Sequence, residues 1–305
     1  MANLKNTQIN DTGFLQLPSG STAQRPASPA NGQMRYNTTL GRVEWYDATY
    51  TAWFPAGFVP PIATGGTVTN ITQDGVNYRV HSFTSVGTST FTVTRGGPVE
   101  FLIVAGGGGG GNGGASVGGA GGGAGGMLSG ATSIVTQSYA VTVGSGGGGG
   151  NGENGENSTF ASLTAIGGGA GRGFSNGNSG GSGAGAPGSN RTAGTGTAVQ
   201  GNSGAIGQGT VGNTVCSAGG GGGAGGAGIR PANTDSNGAG GPGISSTITG
   251  TAVVYAAGGQ GRSRFAFTPS AAAPNTGNGG GGGGGTGQSG AAGGSGIVII
   301  RYRTS

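Results

Sequence analysis

Val99-Glu100-Phe101-Leu102-Ile103-Val104-Ala105 runs without a break into six consecutive glycines, Gly106 to Gly111, and this junction decides the fold. Up to Ala105 the chain reads as an apolar strand. Beyond it the side chains stop. Of the 82 glycines in 305 residues, eleven precede residue 101; the rest crowd into blocks such as Gly146 to Gly150 and Gly279 to Gly285. Ordering a glycine costs roughly 0.5 to 1 kcal/mol more than ordering an alanine. The blocks are therefore either a flexible linker or held by something other than side-chain packing.

Three features argue for order. Segments of strand character interleave with the blocks: Ser138 to Val143, Thr159 to Ile166, Ser245 to Ala256 and Gly296 to Tyr302. Charged residues make up 7% of the chain, whereas disordered chains are rich in charge. The chain also closes on Ile297, Val298, Ile299, Ile300 and Tyr302, an apolar strand that needs a partner far back in sequence. Collagen is excluded, because there is no strict three-residue glycine period and only five prolines follow residue 101. The remaining geometry is polyglycine II: extended left-handed helices with three residues per turn, close enough to exchange main-chain hydrogen bonds on several sides. Alanines are expected where such a helix faces outward.

The rest of the composition mostly excludes. A single cysteine, Cys216, and a single histidine, His81, rule out an internal disulfide framework and a Cys/His zinc site. Cys216 reads as a small packing residue. The first ten residues contain no apolar signal-peptide core, and the longest apolar run is too short for a membrane span, so assembly in the cytoplasm is expected. The net charge of +5 comes from twelve arginines and Lys5 against eight acids, with the arginines scattered along the chain. Scatter of this kind argues against nucleic acid as a partner.

Enzymatic chemistry finds no footing. G-x-G-x-x-G matches are trivial in such a chain, and a phosphate-binding loop lacks its lysine. His81 follows the alternating Val76, Tyr78 and Val80, which makes it an exposed strand residue rather than the base for a serine nucleophile. Glu153 and Glu156 sit in an Asn-Gly-Glu repeat, first a turn signal. No catalytic, cofactor or metal residue is expected.

Residues 21 to 58 read differently. Thr22-Ala23-Gln24-Arg25-Pro26 enters as a proline-fixed extended segment, Gly32-Gln33-Met34-Arg35-Tyr36-Asn37-Thr38 follows, a turn over Thr38 to Gly41 leads into Glu44-Trp45-Tyr46-Asp47, and Trp53 and Phe54 can cover the resulting hairpin. This order of residues resembles a module that recurs in tail-fibre and other structural proteins of tailed bacteriophages, where it serves as a shaft or connector. A second resemblance spans residues 76 to 302 and rests on Tyr78 to Phe83, Val99 to Ala105 before the first glycine block, Tyr139 to Gly144 before the second, and the closing Gly294 to Tyr302. It is similar to the glycine-rich domain of phage virion proteins and to the glycine-rich ectodomain of receptor tyrosine kinases of the anaplastic-lymphoma class. That resemblance implies a jelly-roll-like sandwich carrying an inserted polyglycine bundle, with the strands before Ala105 and the final strand in one sandwich. Residues 172 to 215, poorer in apolar and richer in Ser, Asn and Thr, depart from the pattern.

The expected chain is thus all-β with irregular structure. It comprises an attachment segment (1–20), a hairpin module (21–62) and a glycine-rich domain (63–305), with sandwich strands near 67–105 and 296–303 and polyglycine insertions over 106–295. The resemblance implies a homotrimeric structural protein of a phage tail, joined to other tail proteins through its N-terminal segment and displaying loops to a host polysaccharide or outer-membrane protein. Arg172, Phe174, Arg191, Arg230, Arg264, Phe265 and Phe267 are the candidate contacts, since guanidinium and aromatic groups suit such surfaces. A head-decorating protein and a polysaccharide depolymerase are the alternatives; the second needs paired acids that eight scattered carboxylates do not supply.

Overall fold

A computed structural model of the protein describes residues 16–150, 152–212, 215–265, 269, 271–285 and 287–304. The chain divides into two compact units, Met1–Val59 with Thr304–Ser305, and Pro60–Arg303. Most of the expected attachment segment, residues 1–15, lies outside the described residues.

The described part of the smaller unit forms one sheet from β1 (Ser19–Gly20), β2 (Met34–Asn37), β3 (Arg42–Asp47) and β4 (Ala52–Pro55), in chain order, with β1 parallel to β2 and the other pairs antiparallel. Strand alternation sorts its two faces. On one, Phe54 is fully buried, with the rings of Trp45, Tyr50 and Phe58 5.7 to 5.9 Å away. On the other, Glu44 is buried against Arg25 (2.6 Å), Arg35 (3.6 Å) and the Asn37 amide, which donates at 3.0 Å. Burial raises the Glu44 pKa, but the hydrogen bonds from Arg25 and Asn37 and the charges of Arg25 and Arg35 outweigh it and hold the carboxyl below its usual range. The unusual residues of the sequence motif therefore meet around one carboxylate. The segment over Thr22–Gln24 is a 3-10 turn rather than extended, because the Gln24 side chain reaches back to accept the Ser21 N–H at 2.8 Å.

In the larger unit the strands are β5 (Ile62–Thr64), β6 (Thr67–Gln73), β7 (Val76–Phe83), β8 (Gly87–Arg95), β9 (Gly97–Val104), β10 (Met127–Ile134), β11 (Ser138–Val143), β12 (Ser158–Phe160), β13 (Leu163–Ala165), β14 (Ile244–Ser246), β15 (Val253–Tyr255) and β16 (Ile297–Arg303). They build two five-stranded antiparallel sheets, ordered β10-β9-β16-β7-β6 and β13-β12-β11-β8-β5, with β14 and β15 as a separate hairpin. The β6–β7 hairpin turns on Asp74-Gly75, both at positive φ, as a two-residue turn requires. The closing strand β16 finds its partners in β9 and β7, about two hundred residues upstream.

Phe83, Phe101, Ile103, Val298, Ile300 and Tyr302 of the first sheet share one buried cluster with Phe91, Val93, Val141, Val143 and Phe160 of the second. The other face of the first sheet is covered too, since Val80, Leu102, Val104 and Ile299 pack with Ala124, Ile248, Tyr255 and Ala256. Around Val80 and His81 both faces of β7 are therefore covered, which corrects the expectation for His81. It is fully buried between the sheets, 5.1 Å from the Phe91 ring, with Nδ1 2.8 Å from the Gly65 carbonyl and Nε2 3.1 Å from the Tyr302 hydroxyl. Alternation alone assigned Val80 to the core and His81 to solvent, but a strand covered on both sides has no solvent face.

The glycine-rich segments leave this sheet pair at three connections: β9 to β10, β11 to β12, and β13 to β16, the last interrupted by the β14–β15 hairpin. Their main chains bond to one another in a three-residue register. Along residues 105–114, the N–H groups of Ala105, Gly108, Gly111 and Gly114 donate to Gly126, Gly123, Ala120 and Val117; those of Gly107, Gly110 and Gly113 to Gly294, Ala291 and Gln288; and those of Gly106 and Gly109 to Glu156 and Glu153, all at 2.7 to 3.0 Å. The carbonyls repeat the pattern on three further sides, accepting from Gly147 and Gly150, from Gly168 and Gly171, and from Gly280 and Gly283. One extended rod is thus bonded to six neighbours. The next rod, residues 118–126, donates in the same rhythm to Cys216, Gly219 and Gly222, to Gly283, Gly280 and Gly277, and to Arg172, Gly169 and Ile166.

Glycine is compulsory here for reasons of space. A Cβ on Gly108 would run into the Gly169 carbonyl, and one on Gly122 into that of Gly108. Alanines fall on both sides, where the sequence led one to expect them outside: Ala227, Ala239 and Ala292 are exposed, whereas Ala120, Ala170, Ala184, Ala186 and Ala218 are fully buried within the bundle. Ala124 and Ala256 turn their methyls toward the apolar face of the first sheet, where a side chain is useful rather than obstructive.

Candidate functional site

Hydrogen-bond register places each turn of the bundle at one of two ends. Residues 105, 126, 166 and 294 lie beside the sheets, because their rods begin or end at strands there, and 277 lies level with them through its bonds to Gly125 and Ser295. The far end is then marked by the turn joining the first two rods, residues 112–117.

Around that turn the chain brings together segments that are remote in sequence. The Arg172 carbonyl accepts from Ala120, the Arg262 N–H donates to Gly119, and the Arg264 carbonyl accepts from Gly285. A Cβ on Gly114 would meet the Phe174 ring at 2.6 Å. Cys216 is buried beside the turn, its N–H bonded to Ser116 and its carbonyl to Gly118. Next to it, Ser217 pairs with Gln208, whose side chain takes the Arg230 guanidinium at 2.9 Å. Arg191 follows Asn190, which pairs with Val211, and precedes Thr192, which is held by the Asn176 side chain. The five arginines between residues 106 and 295, scattered in sequence, are therefore gathered at one end of the bundle. No lysine accompanies them.

Phe174 and Phe265 are 56% and 52% exposed, and the Arg264 guanidinium lies 4.2 Å from the Phe265 ring centre. Burial pushes the Arg262 guanidinium below its usual pKa. The Nε atoms of Arg191 and Arg264 and the Oε1 of Gln288 are shielded from solvent and have no hydrogen-bond partner. A shallow cleft of about 230 Å³ opens between Asn112, Arg172, Gly173, Phe174 and Ser175. Phe267 lies outside the described residues. Of the residues at this end, Arg262 and Asn112 are absent from the expected contacts. Asn112 was open to detection, since an Asn inside a glycine run signals a turn.

Among the described residues no three His, Cys, Asp or Glu side chains come together as a metal site, and no helix is long and apolar enough to cross a membrane. Glu153 and Glu156 bond to different levels of the bundle, through Gly109 and Gly148 for the first and Gly106 and Ser145 for the second. A search of curated proteins finds no significant match. A family model described as a glycine-rich domain matches residues 84–303, from the residue after β7 to the end of β16, and the chain belongs to that glycine-rich domain family.

Proposed function

We propose that the protein is a non-enzymatic structural component of a bacteriophage tail, a fibre or receptor-binding adhesin, in which the glycine bundle is a rigid platform for loops. We read the two sheets as a jelly-roll-like sandwich and the rods as polyglycine II helices. The observation that carries the reading is the three-residue register linking one rod to six others while every arginine of the bundle gathers at the end away from the sheets. Rods without side chains cannot themselves recognise anything, so recognition falls to the turns, where residues change without disturbing the packing.

The motif around Glu44 supports the phage assignment through its resemblance to fibre connector modules, with attachment to other tail proteins assigned to the N-terminal segment and homotrimeric assembly to the edge strands of the sheets, β6 and β5 among them. The protein is then assembled in the host cytoplasm and carried on the tail. Immunogold labelling of intact particles tests this: label at the tail tip is expected, whereas label over the capsid makes it a head-decorating protein. Light scattering on the purified protein reads the subunit count, with three expected.

A further inference from the structure

We infer that the far end of the bundle is a docking surface for an anionic, phosphate-bearing glycan; this rests on the display reading above. The turns at that end carry Arg172, Arg191, Arg230, Arg262 and Arg264, and the acids near them are Glu153 and Asp235. The third acid of the bundle, Glu156, belongs to the opposite end, where its N–H bonds to Ser145. The surface is therefore cationic by placement, although the chain as a whole is only mildly so.

Two of these guanidiniums are set against uncharged groups: Arg230 against the Gln208 amide and Arg264 against the Phe265 ring. Neither contact neutralises the charge. The guanidinium fork matches phosphate geometry, and the exposed rings of Phe174 and Phe265 offer flat apolar faces of the kind that pack on sugar C–H groups. A backbone-bonded scaffold holds these groups with little ordering left to do on binding. Nucleic acid is the weaker fit. A duplex presents a charge every ~1.7 Å, far denser than five arginines spread over separate turns, whereas a glycan with one phosphate per repeat is as sparse in charge as they are in number.

The test is interferometry with the full chain over four immobilised glycans: lipopolysaccharide, the same lipopolysaccharide after dephosphorylation, poly(glycerol phosphate), and neutral dextran, with duplex DNA as a fifth surface. Binding to one or both phosphate-bearing glycans is expected, weakening as salt rises and absent from dephosphorylated lipopolysaccharide and dextran; which of the two is preferred identifies the source of the phosphate. The double variant Arg191→Gln with Arg230→Gln is expected to lose at least tenfold in affinity, and Arg191→Lys with Arg230→Lys to lose less, since it keeps the charge but not the fork. Comparing those two separates charge from any change in folding. Equal binding to the dephosphorylated form, full affinity in the glutamine variant, or tighter binding to DNA overturns the phosphate-glycan assignment but leaves a display role intact. Binding to none of the glycans overturns it as well, and the immunogold label then judges the display role separately.

Discussion

The two sheets and the glycine bundle of the larger unit are held together by opposite means. Between the sheets, Phe91, Phe160, Ile103 and Ile300 are buried side chains, and stability comes from apolar area removed from water. In the bundle, the rods at residues 105–114 and 118–126 have almost no side chains to bury, and cohesion comes from main-chain bonds in six directions. A single such bond contributes about 1 kcal/mol net, so the bundle depends on number and regularity, whereas the sheets depend on volume. A core of side chains can trade one shape for another at modest cost. A lattice of backbones cannot.

The sharpest way to break that comparison is Gly108→Val. The new side chain has to displace the Gly169 main chain, and with it bonds shared among several rods, so a loss of more than ~4 kcal/mol is expected, read as failure to fold or a large drop in Tm. Gly148→Ala is the control. Its Cβ would meet only the end of the Glu153 side chain, at 3.0 Å, and a change under about 1 kcal/mol is expected. If both variants are equally stable, the rods are not closely packed.

Phe91→Ala, in the middle of the sheet core, should cost about 3 to 5 kcal/mol as a cavity, measured by denaturant unfolding. Gln200→Ala probes the seam between the two regimes. The Gln200 amide accepts from the Ile166 N–H at 2.8 Å and donates to the Thr164 carbonyl at 3.1 Å, substituting for main chain where β13 gives way to a rod. Its removal strands two backbone groups, and about 1 to 3 kcal/mol should be lost.

The smallest effect is a pH dependence confined to the sheets. Burial holds the His81 imidazole below its usual pKa, the hydrogen bond to the Gly65 carbonyl opposes this, and the charge of Arg79 adds to it. The folded value therefore lies below the unfolded value of about 6.5. Protonation favours the unfolded chain, so this contribution is complete above the unfolded pKa and is lost as pH falls through the folded one. Melting curves should be level from neutral to mildly alkaline pH and fall below about 6.5, and His81→Gln should flatten that fall. An unchanged slope in the variant would place the proton elsewhere.

Much of the sheet region was legible because apolar runs are unambiguous. β9 and β16 stood out by composition, and the need of β16 for a distant partner followed from its being apolar at the end of a glycine-rich stretch. His81 was misplaced because period-two alternation locates one dry face and cannot report that the second is dry too. The candidate contacts were recognised as residue types, Arg172, Phe174, Arg191, Arg230, Arg264 and Phe265 among them, but not as a group, since spacings of tens of residues carry no distance information. Arg262 stands two residues before Arg264 in the one local basic and aromatic stretch of the chain, and its omission from the candidates was not a matter of distance in sequence.

Composition alone fixed that side chains could not hold the glycine blocks between residues 106 and 295 together, because glycine offers none, and that the apolar strands had to pair across those blocks. Only the tertiary structure decided which rod meets which, and so which turns share an end. Every glycine N–H is chemically the same donor, and three-dimensional register alone distinguishes the partners of Gly108 from those of Gly109.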